Sequence, residues 1–311
     1  MSKGKAFEYA TAISFYNYVI QSGGTARLNQ DINFHNVETS FNELNNEEQI
    51  ELMRAATVGC ERVVELEPSL QDISGNLTIS IAPDYYGQDG DVRDVILKKG
   101  NWEIGISCKH NHQALKHQRL SNNIDFGNEW ARCPVSQNYW QEIRPIFQML
   151  QEFKDRGVNW RDLSSYNISK EQDVYIPLLT IFLHEFNALD RQYNDLATNF
   201  VEYLAGRRDF YKFVMSENHQ EVTIYCYNLH GDLGRGGNVP LVPLPTHFIS
   251  KGWKINRNGS RSNNTLIIEM DNDWTVGLRL HSAASLVETS LKFDSQPINL
   301  PNSLLTIQVG Y

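Results

Sequence analysis

Three short runs, LTISIAP (77–83), DVRDVIL (91–97) and WEIGISC (102–108), carry apolar residues in the pattern of strands, and the turn-rich pieces YYGQDG and KKGN separate them. Strands joined by connections this short pair with their neighbours antiparallel. Residues 77–108 are therefore expected to form a β-meander, and the rest of the fold has to cover it. The third strand begins apolar and ends in Ser107-Cys108-Lys109, followed by His110, Asn111 and His112. A rigid strand that finishes this way delivers a lysine to one point.

Around the meander the period changes to that of helices. KAFEYATAISFYNYVIQ (5–21) has helical spacing and stops at Ser22-Gly23-Gly24, and a second helix is expected from about Asn46 to Glu67, ending before Pro68. Further helices are expected over 139–156 and, as one long helical region, over 176–204, with Gly206 marking its end. EVTIYCYN (221–228), TLIIEM (265–270) and WTVGLRL (274–280) read as strands, so the last third is β-rich. The fold class is α+β. No repeat or low-complexity tract interrupts the chain, and 160–173 is the best of several poor linker candidates.

At 311 residues and 41% hydrophobic content the chain can bury a sizeable core. No apolar run reaches the ~18 residues needed to span a bilayer, and the start lacks the apolar segment of a secretory signal. A cytoplasmic location without membrane partners is expected. Cys60, Cys108, Cys133 and Cys226 are far apart and include no CxxC pair, so they read as reduced structural thiols. Cys108, His110 and His112 are close enough to raise the question of zinc, but no fourth ligand completes a tetrahedral set.

The formal charge of −9 argues against a generally adhesive nucleic-acid coat protein. Its distribution says more. No acid occurs from Ile104 to Ile124, where Lys109, Lys116 and Arg119 are interleaved with His110, His112 and His117. A second acid-free stretch, GWKINRNGSRSNNTLII, carries Lys254, Arg257 and Arg261. Two basic islands on an acidic chain point to a defined polyanion-binding surface, and solvated loops that merely lack acids are the plainer alternative for each.

Asp91 and Asp94 lie in the second strand of the meander, and Lys109 ends the third. Cross-strand neighbours have Cβ atoms ~5 Å apart, so an acid from one strand can stand beside the lysine of the next. That arrangement suits phosphodiester hydrolysis. Mg²⁺ needs only one or two carboxylates when a substrate phosphate and water fill its other positions, and a lysine can position the attacking water or add positive charge. Charged residues that simply begin and end strands are the alternative.

Asp94 and, fifteen positions on, Lys109 after a hydrophobic strand resemble the PD-(D/E)xK nuclease core, in which an acid begins one strand and an acid-x-Lys ends the next. Ser107 stands here where the second acid is expected. Some restriction endonucleases of that fold also have Ser-x-Lys and recruit the missing carboxylate from elsewhere. Within the resemblance, Glu8 in KGKAFEYA is the candidate replacement, since such nucleases often carry a metal-site glutamate in the first helix after a Lys-Gly turn. Asp91 and Glu103 are further options, with Glu103 ~20 Å along the strand from the lysine.

A closer resemblance extends over nearly the whole chain. KGKAFEYA, GDVRDVIL, GISCKHNHQALKHQRLSNNIDFG and GLRLHSAASLVETSLKFDSQP are similar, in order, to segments of the HaeIII-like type II restriction endonucleases, which cut GGCC. The resemblance implies a restriction-endonuclease-like core, a mixed sheet flanked by helices, over 1–160. It implies a helical and β-rich recognition region over 161–311 that shares strands with the core. It further implies Mg²⁺ as cofactor, double-stranded DNA as substrate and a cognate DNA methyltransferase as a genetic rather than physical partner. Catalysis would fall to Asp94, Lys109, Ser107 and Glu8, with Asp94, Glu8 and Asp91 available to the metal. DNA contacts would come from His110, Asn111, His112, Lys116, His117, Arg119, Lys254, Arg257, Arg261, Arg279 and His281, with arginine the usual reader of guanine. For Arg279 a structural ion pair is the competing role. A junction-resolvase-like nuclease, a DNA-binding module that has lost its acid and a histidine-centred metal nuclease built on KHNH are the alternative functions.

Overall fold

The computed structural model describes residues 3–83, 90–111, 113–235 and 237–311. In chain order the elements begin with α1 (Lys3–Gln21), β1 (Thr25–Leu28), α2 (Ile32–Asn42), α3 (Asn46–Leu66), α4 (Pro68–Gln71), β2 (Asn76–Ile81), β3 (Val95–Lys99) and β4 (Trp102–His110). There follow β5 (Arg119–Ser121), α5 (Phe126–Ala131), α6 (Gln137–Asp155), α7 (Ile176–Gln192) and α8 (Leu196–Ala205). The chain ends with β6 (Phe210–Ser216), β7 (Glu221–Tyr227), β8 (Phe248–Ile255), β9 (Arg261–Met270), β10 (Thr275–His281), β11 (Ser290–Asn299) and β12 (Thr306–Gly310). They form two compact units, one of Met1–Gln113, Gly206–Pro243 and Asn302–Tyr311, the other of Ala114–Ala205 and Leu244–Pro301. No helix among the described residues is long and apolar enough to cross a membrane.

The first unit is a mixed seven-stranded sheet in the order β1-β2-β3-β4-β6-β7-β12, packed against α1, α2 and α3. The expected meander is present: β2 pairs antiparallel with β3, and β3 with β4. In β2 only Leu77, Ile79 and Ile81 turn inward, as one-sided burial demands, whereas β4 is buried continuously from Ile104 to Cys108. The reason is position, since β4 is the middle strand. It lies parallel to β6, with Ser107 opposite Lys212. A parallel pair needs a long crossover, and here the crossover holds residues 114–205 of the second unit.

Local chemistry sets the helix ends. Asn45 caps α3 in a capping box with Glu48, and Glu67 with Pro68 ends it. Gly23, at φ 82°, takes the left-handed conformation that closes α1, with Gly24 N donating to Val19 O at 2.9 Å. Phe7, Ala10 and Phe15 of α1 and Ala55, Ala56 and Cys60 of α3 share one core with Ile79, Leu97, Ile106, Phe213 and Ile224. A Cβ on Gly59 would come within 2.6 Å of the Phe213 ring, so α3 approaches the sheet as closely as glycine permits.

The second unit has a five-stranded antiparallel sheet, β5-β11-β10-β9-β8, and an aromatic core in which Phe126, Trp130, Phe182 and Phe293 pack ring against ring. The β-rich last third is thus divided: β7 and β12 belong to the first sheet, β8 to β11 to the second.

Three expectations are corrected. DVRDVIL is not all strand, because Gly90 is left-handed and Asp91 folds back to accept from Arg93 N, so the strand starts at Val95 and Asp94 immediately precedes it. The single helical region over 176–204 is two helices, broken where Tyr193 turns to an extended conformation. Residues 160–166 and 170–175, in the best linker candidate, form a 3-10 and a π-helical turn.

Candidate active site

Antiparallel pairing sets Val95 opposite Ile106, and Asp94 N donates to Ile106 O at 2.9 Å, so the next step of the register brings Asp94 beside Ser107. Three donors converge on Asp94 Oδ2: Cys108 N at 2.7 Å, Ser107 Oγ at 3.1 Å and Lys109 Nζ at 3.2 Å. Among the described residues no hydrogen bond ends on Oδ1. The side chains of Lys109 and Asp94 keep 31% and 23% of their surface accessible, so the pair is held yet reachable from solvent.

α1 lies against β4, where Cys108 Sγ donates to Thr11 Oγ1 at 3.4 Å. Glu8, half-buried one turn earlier, is near enough for its charge to bear on Lys109. Burial works to lower the Lys109 pKa, but Asp94 and Glu8 outweigh it, and the ammonium is held above its ordinary value. Burial also drives the Cys108 thiol well up, which leaves it inert. All four cysteines are buried free thiols.

Asp91 and Glu103 are engaged elsewhere. Arg93, 4% exposed, donates to both oxygens of Asp91 at 2.9 and 2.8 Å and to Glu103 Oε1 at 3.0 Å. Neither acid is among the groups gathered at Lys109.

The residues after Lys109 form a second network. Glu217 Oε1 meets Lys3 Nζ at 2.7 Å and His110 Nε2 at 2.8 Å, and Glu217 also exchanges hydrogen bonds with the Asn111 side chain. The Lys3 and His110 contacts hold the Glu217 carboxyl down at about 2. His110 and Asn111 thus fasten the strand end, and His112 lies outside the described residues.

Sequence reasoning missed Lys212. It lies on β6 opposite Ser107, is 3% exposed and donates from Nζ to Gln113 O at 2.8 Å. Burial and the Lys109 charge bring its pKa down to about 7 against the pull of Asp94. The one signal available beforehand was a single lysine inside the apolar run FYKFVMS.

The remaining predicted contacts are in the second unit. Lys116 Nζ stands 3.5 Å over the Tyr203 ring, and Arg119 is tied to Ser290 and Glu288. Arg279 pairs across strands with Asp294 at 3.1 Å, and His117 approaches the same carboxylate at 3.7 Å. His281 Nδ1 meets Ser282 O at 3.0 Å. The β8–β9 hairpin presents Lys254, Arg257 and Arg261 exposed at the sheet edge, with Arg261 4.5 Å over the Trp253 ring.

Two comparisons bear on this arrangement. A profile of the HaeIII restriction endonuclease family matches residues 4–301. The type II restriction enzyme HaeIII of Haemophilus aegyptius is 35% identical over 324 aligned positions, covering 99% of this chain and 97% of the relative. No solved structure matches the chain.

Proposed function

Since the chain belongs to the HaeIII restriction endonuclease family and is accordingly a type II site-specific deoxyribonuclease acting on double-stranded DNA, we propose that Asp94, Lys109, Ser107 and Glu8 form its cleavage centre. The core is read as a variant of the PD-(D/E)xK arrangement, with Mg²⁺ as cofactor and GGCC as the site cut. The single observation behind the assignment is the meeting of Lys109 Nζ and Asp94 Oδ2 at 3.2 Å on a partly open strand end.

The donor set fits a hard cation. Among the described residues no cluster of three or more His, Cys, Asp or Glu side chains could hold a metal. Mg²⁺ does not require one, because it retains waters and takes substrate oxygens in addition to one or two carboxylates. Asp94 through Oδ1 and Glu8 from α1 would hold it, and when bound it would lower the barrier by countering charge on the phosphate.

The protein's own groups have separable tasks. Lys109 positions the attacking water and adds positive charge where the phosphoryl oxygens gain negative charge. Ser107 Oγ and Cys108 N, by donating to Oδ2, fix the orientation of Asp94. Ser107 takes the place of a second acid as a brace, and Glu8 supplies the charge that such an acid would have brought.

Cleavage is assigned to the first unit and recognition to the second. In the latter, the exposed β8–β9 ribbon bears Lys254, Arg257 and Arg261 without an acid between them, the composition expected of a ribbon entering a groove or following phosphates. Arg279, aligned by Asp294, is the candidate guanine reader. Digestion of a plasmid with many four-base sites tests the reading. Discrete Mg²⁺-dependent fragments ending at GGCC are expected, and smearing, or no cutting of any substrate, would overturn it.

A further inference from the structure

We propose that Ile255, at the tip of the β8–β9 ribbon, is a wedge that enters the minor groove at the recognition site and parts two stacked base pairs. The inference deepens the reading of this ribbon as a recognition surface and rests on it.

The ribbon is built to project. β8 is an edge strand of the second sheet, and residues 254–261 are exposed without a break, whereas Leu266, Ile268 and Met270 further along β9 are buried. The tip is held by its own hydrogen bonds. Asn256 N donates to Ser260 O at 2.8 Å, Asn258 Oδ1 accepts from Ser260 N at 3.1 Å and from Ser260 Oγ at 2.7 Å, and Gly259 takes the left-handed conformation at φ 80°. A two-stranded ribbon of this kind fits a groove of duplex DNA.

Charge names the partner. No acid occurs between Asp232 and Glu269, and the tip carries Lys254, Arg257 and Arg261, a composition suited to a phosphate backbone. Ile255 is the exception among them, a 62% exposed isoleucine where every other residue from 254 to 261 is polar or glycine. A bare aliphatic side chain on an edge strand invites unwanted association, and edges are ordinarily protected by charge. The register shows how it comes to be bare. Arg261 is its cross-strand partner, but the pairing shifts between Trp253 and Ile255, and the Arg261 guanidinium lies 4.5 Å over the Trp253 ring.

The choice of groove follows from the target. In the major groove only thymine offers a methyl group, and GGCC has no thymine, so an isoleucine there would meet polar base edges. In the minor groove an aliphatic side chain can slide between base pairs and exchange water for the apolar faces of the bases, while the neighbouring cations hold the phosphates. The cost of unstacking depends on the step that is opened, so the wedge adds discrimination without a hydrogen bond to any base.

The experiment compares full-length wild type, Ile255→Ala, Ile255→Leu and Arg257→Ala on GGCC duplexes with Ca²⁺ replacing Mg²⁺. Fluorescent purine analogues, quenched while stacked, replace each purine of the site and its flanks in turn, and anisotropy gives the affinity. Wild type should brighten the analogues at one step. Ile255→Ala should abolish the brightening and bind about tenfold more weakly, the loss expected for one buried aliphatic side chain, and Ile255→Leu should restore both. Arg257→Ala should keep the brightening at saturation and lower the slope of log affinity against log salt by about 1, a slope that Ile255→Ala leaves unchanged. A mismatch at the brightened step removes most of the unstacking cost, and on that duplex Ile255→Ala should bind within about threefold of wild type. No brightening in the bound wild-type complex, or brightening and affinity retained by Ile255→Ala, would overturn the wedge alone. So would a wild-type dimer that Ile255→Ala dissociates with both DNA signals unchanged, because the isoleucine would then pack on a second copy. A wild-type enzyme that neither binds nor cuts GGCC duplexes would overturn the recognition reading as well.

Discussion

Lys109 Nζ stands 3.2 Å from Asp94 Oδ2, across the first step of the β3/β4 register, while the Cys108 amide holds the same oxygen at 2.7 Å. The carboxylate is thus fastened from two sides before any substrate arrives. Asp94→Asn and Lys109→Ala should each slow single-turnover cleavage by about 10²–10³-fold or more, while circular dichroism and gel filtration remain those of wild type. A folded variant of either kind that cuts at the wild-type rate would remove the site from these residues.

Glu8 and Glu103 are both glutamates near the sheet, yet only Glu8 bears on Lys109, since Glu103 is bound by Arg93. In a Mg²⁺ titration of cleavage, Glu8→Gln should raise the concentration for half-maximal rate by about tenfold. Glu103→Gln should leave it unchanged. The opposite ranking would assign the missing carboxylate to the wrong residue.

Lys212 gives a signature in stability. It titrates at about 7 in the fold against 10.5 as an ordinary lysine, so between those values the unfolded chain holds more protons and stability rises with pH. Below about pH 7 the penalty for the buried ammonium is fully present. Thermal unfolding of Lys212→Met should therefore show its largest gain relative to wild type at or below neutrality, and the two curves should converge as pH approaches 10.5. Parallel curves would mean that the lysine is not perturbed.

Gly105 leaves room for Arg93, whose Cδ would lie 2.2 Å from an added Cβ. Gly105→Ala must push the arginine stem aside and loosen its bonds to Asp91 and Glu103. Overpacking alone costs about 1–3 kcal/mol, and disturbing a buried ion pair adds to it. A fall in Tm of several degrees is expected, and an unchanged Tm would show that the sheet yields freely there.

The meeting of Asp94 and Lys109 was legible because two strands joined by KKGN have few ways to pair, so a separation of fifteen positions becomes one contact. Glu8 was legible only through resemblance, since helical periodicity shows which residues face the core and not which strand end they approach. Lys212 left only one trace, a lone lysine in the apolar run FYKFVMS, and nothing that tied it to Lys109. Its partner strand lies about a hundred residues earlier, and parallel pairing over such a distance leaves no local pattern. Asp91 was misplaced because strand alternation was extended into a turn held by left-handed Gly90. The engagement of Lys116 by the Tyr203 ring has the same origin, a contact between residues 87 positions apart.

The chain passes from one unit to the other at 113/114, 205/206, 243/244 and 301/302. No deletion from either terminus can release either unit intact, and a single genetic crossover cannot exchange one unit while keeping the other whole. If recognition lies in the second unit, as proposed above, a lineage built this way has to change its target by piecemeal substitution within 114–205 and 244–301. Each step must also leave undisturbed the strand pairing that the inserted segments interrupt, so relatives with new targets should differ by scattered replacements and not by exchanged blocks.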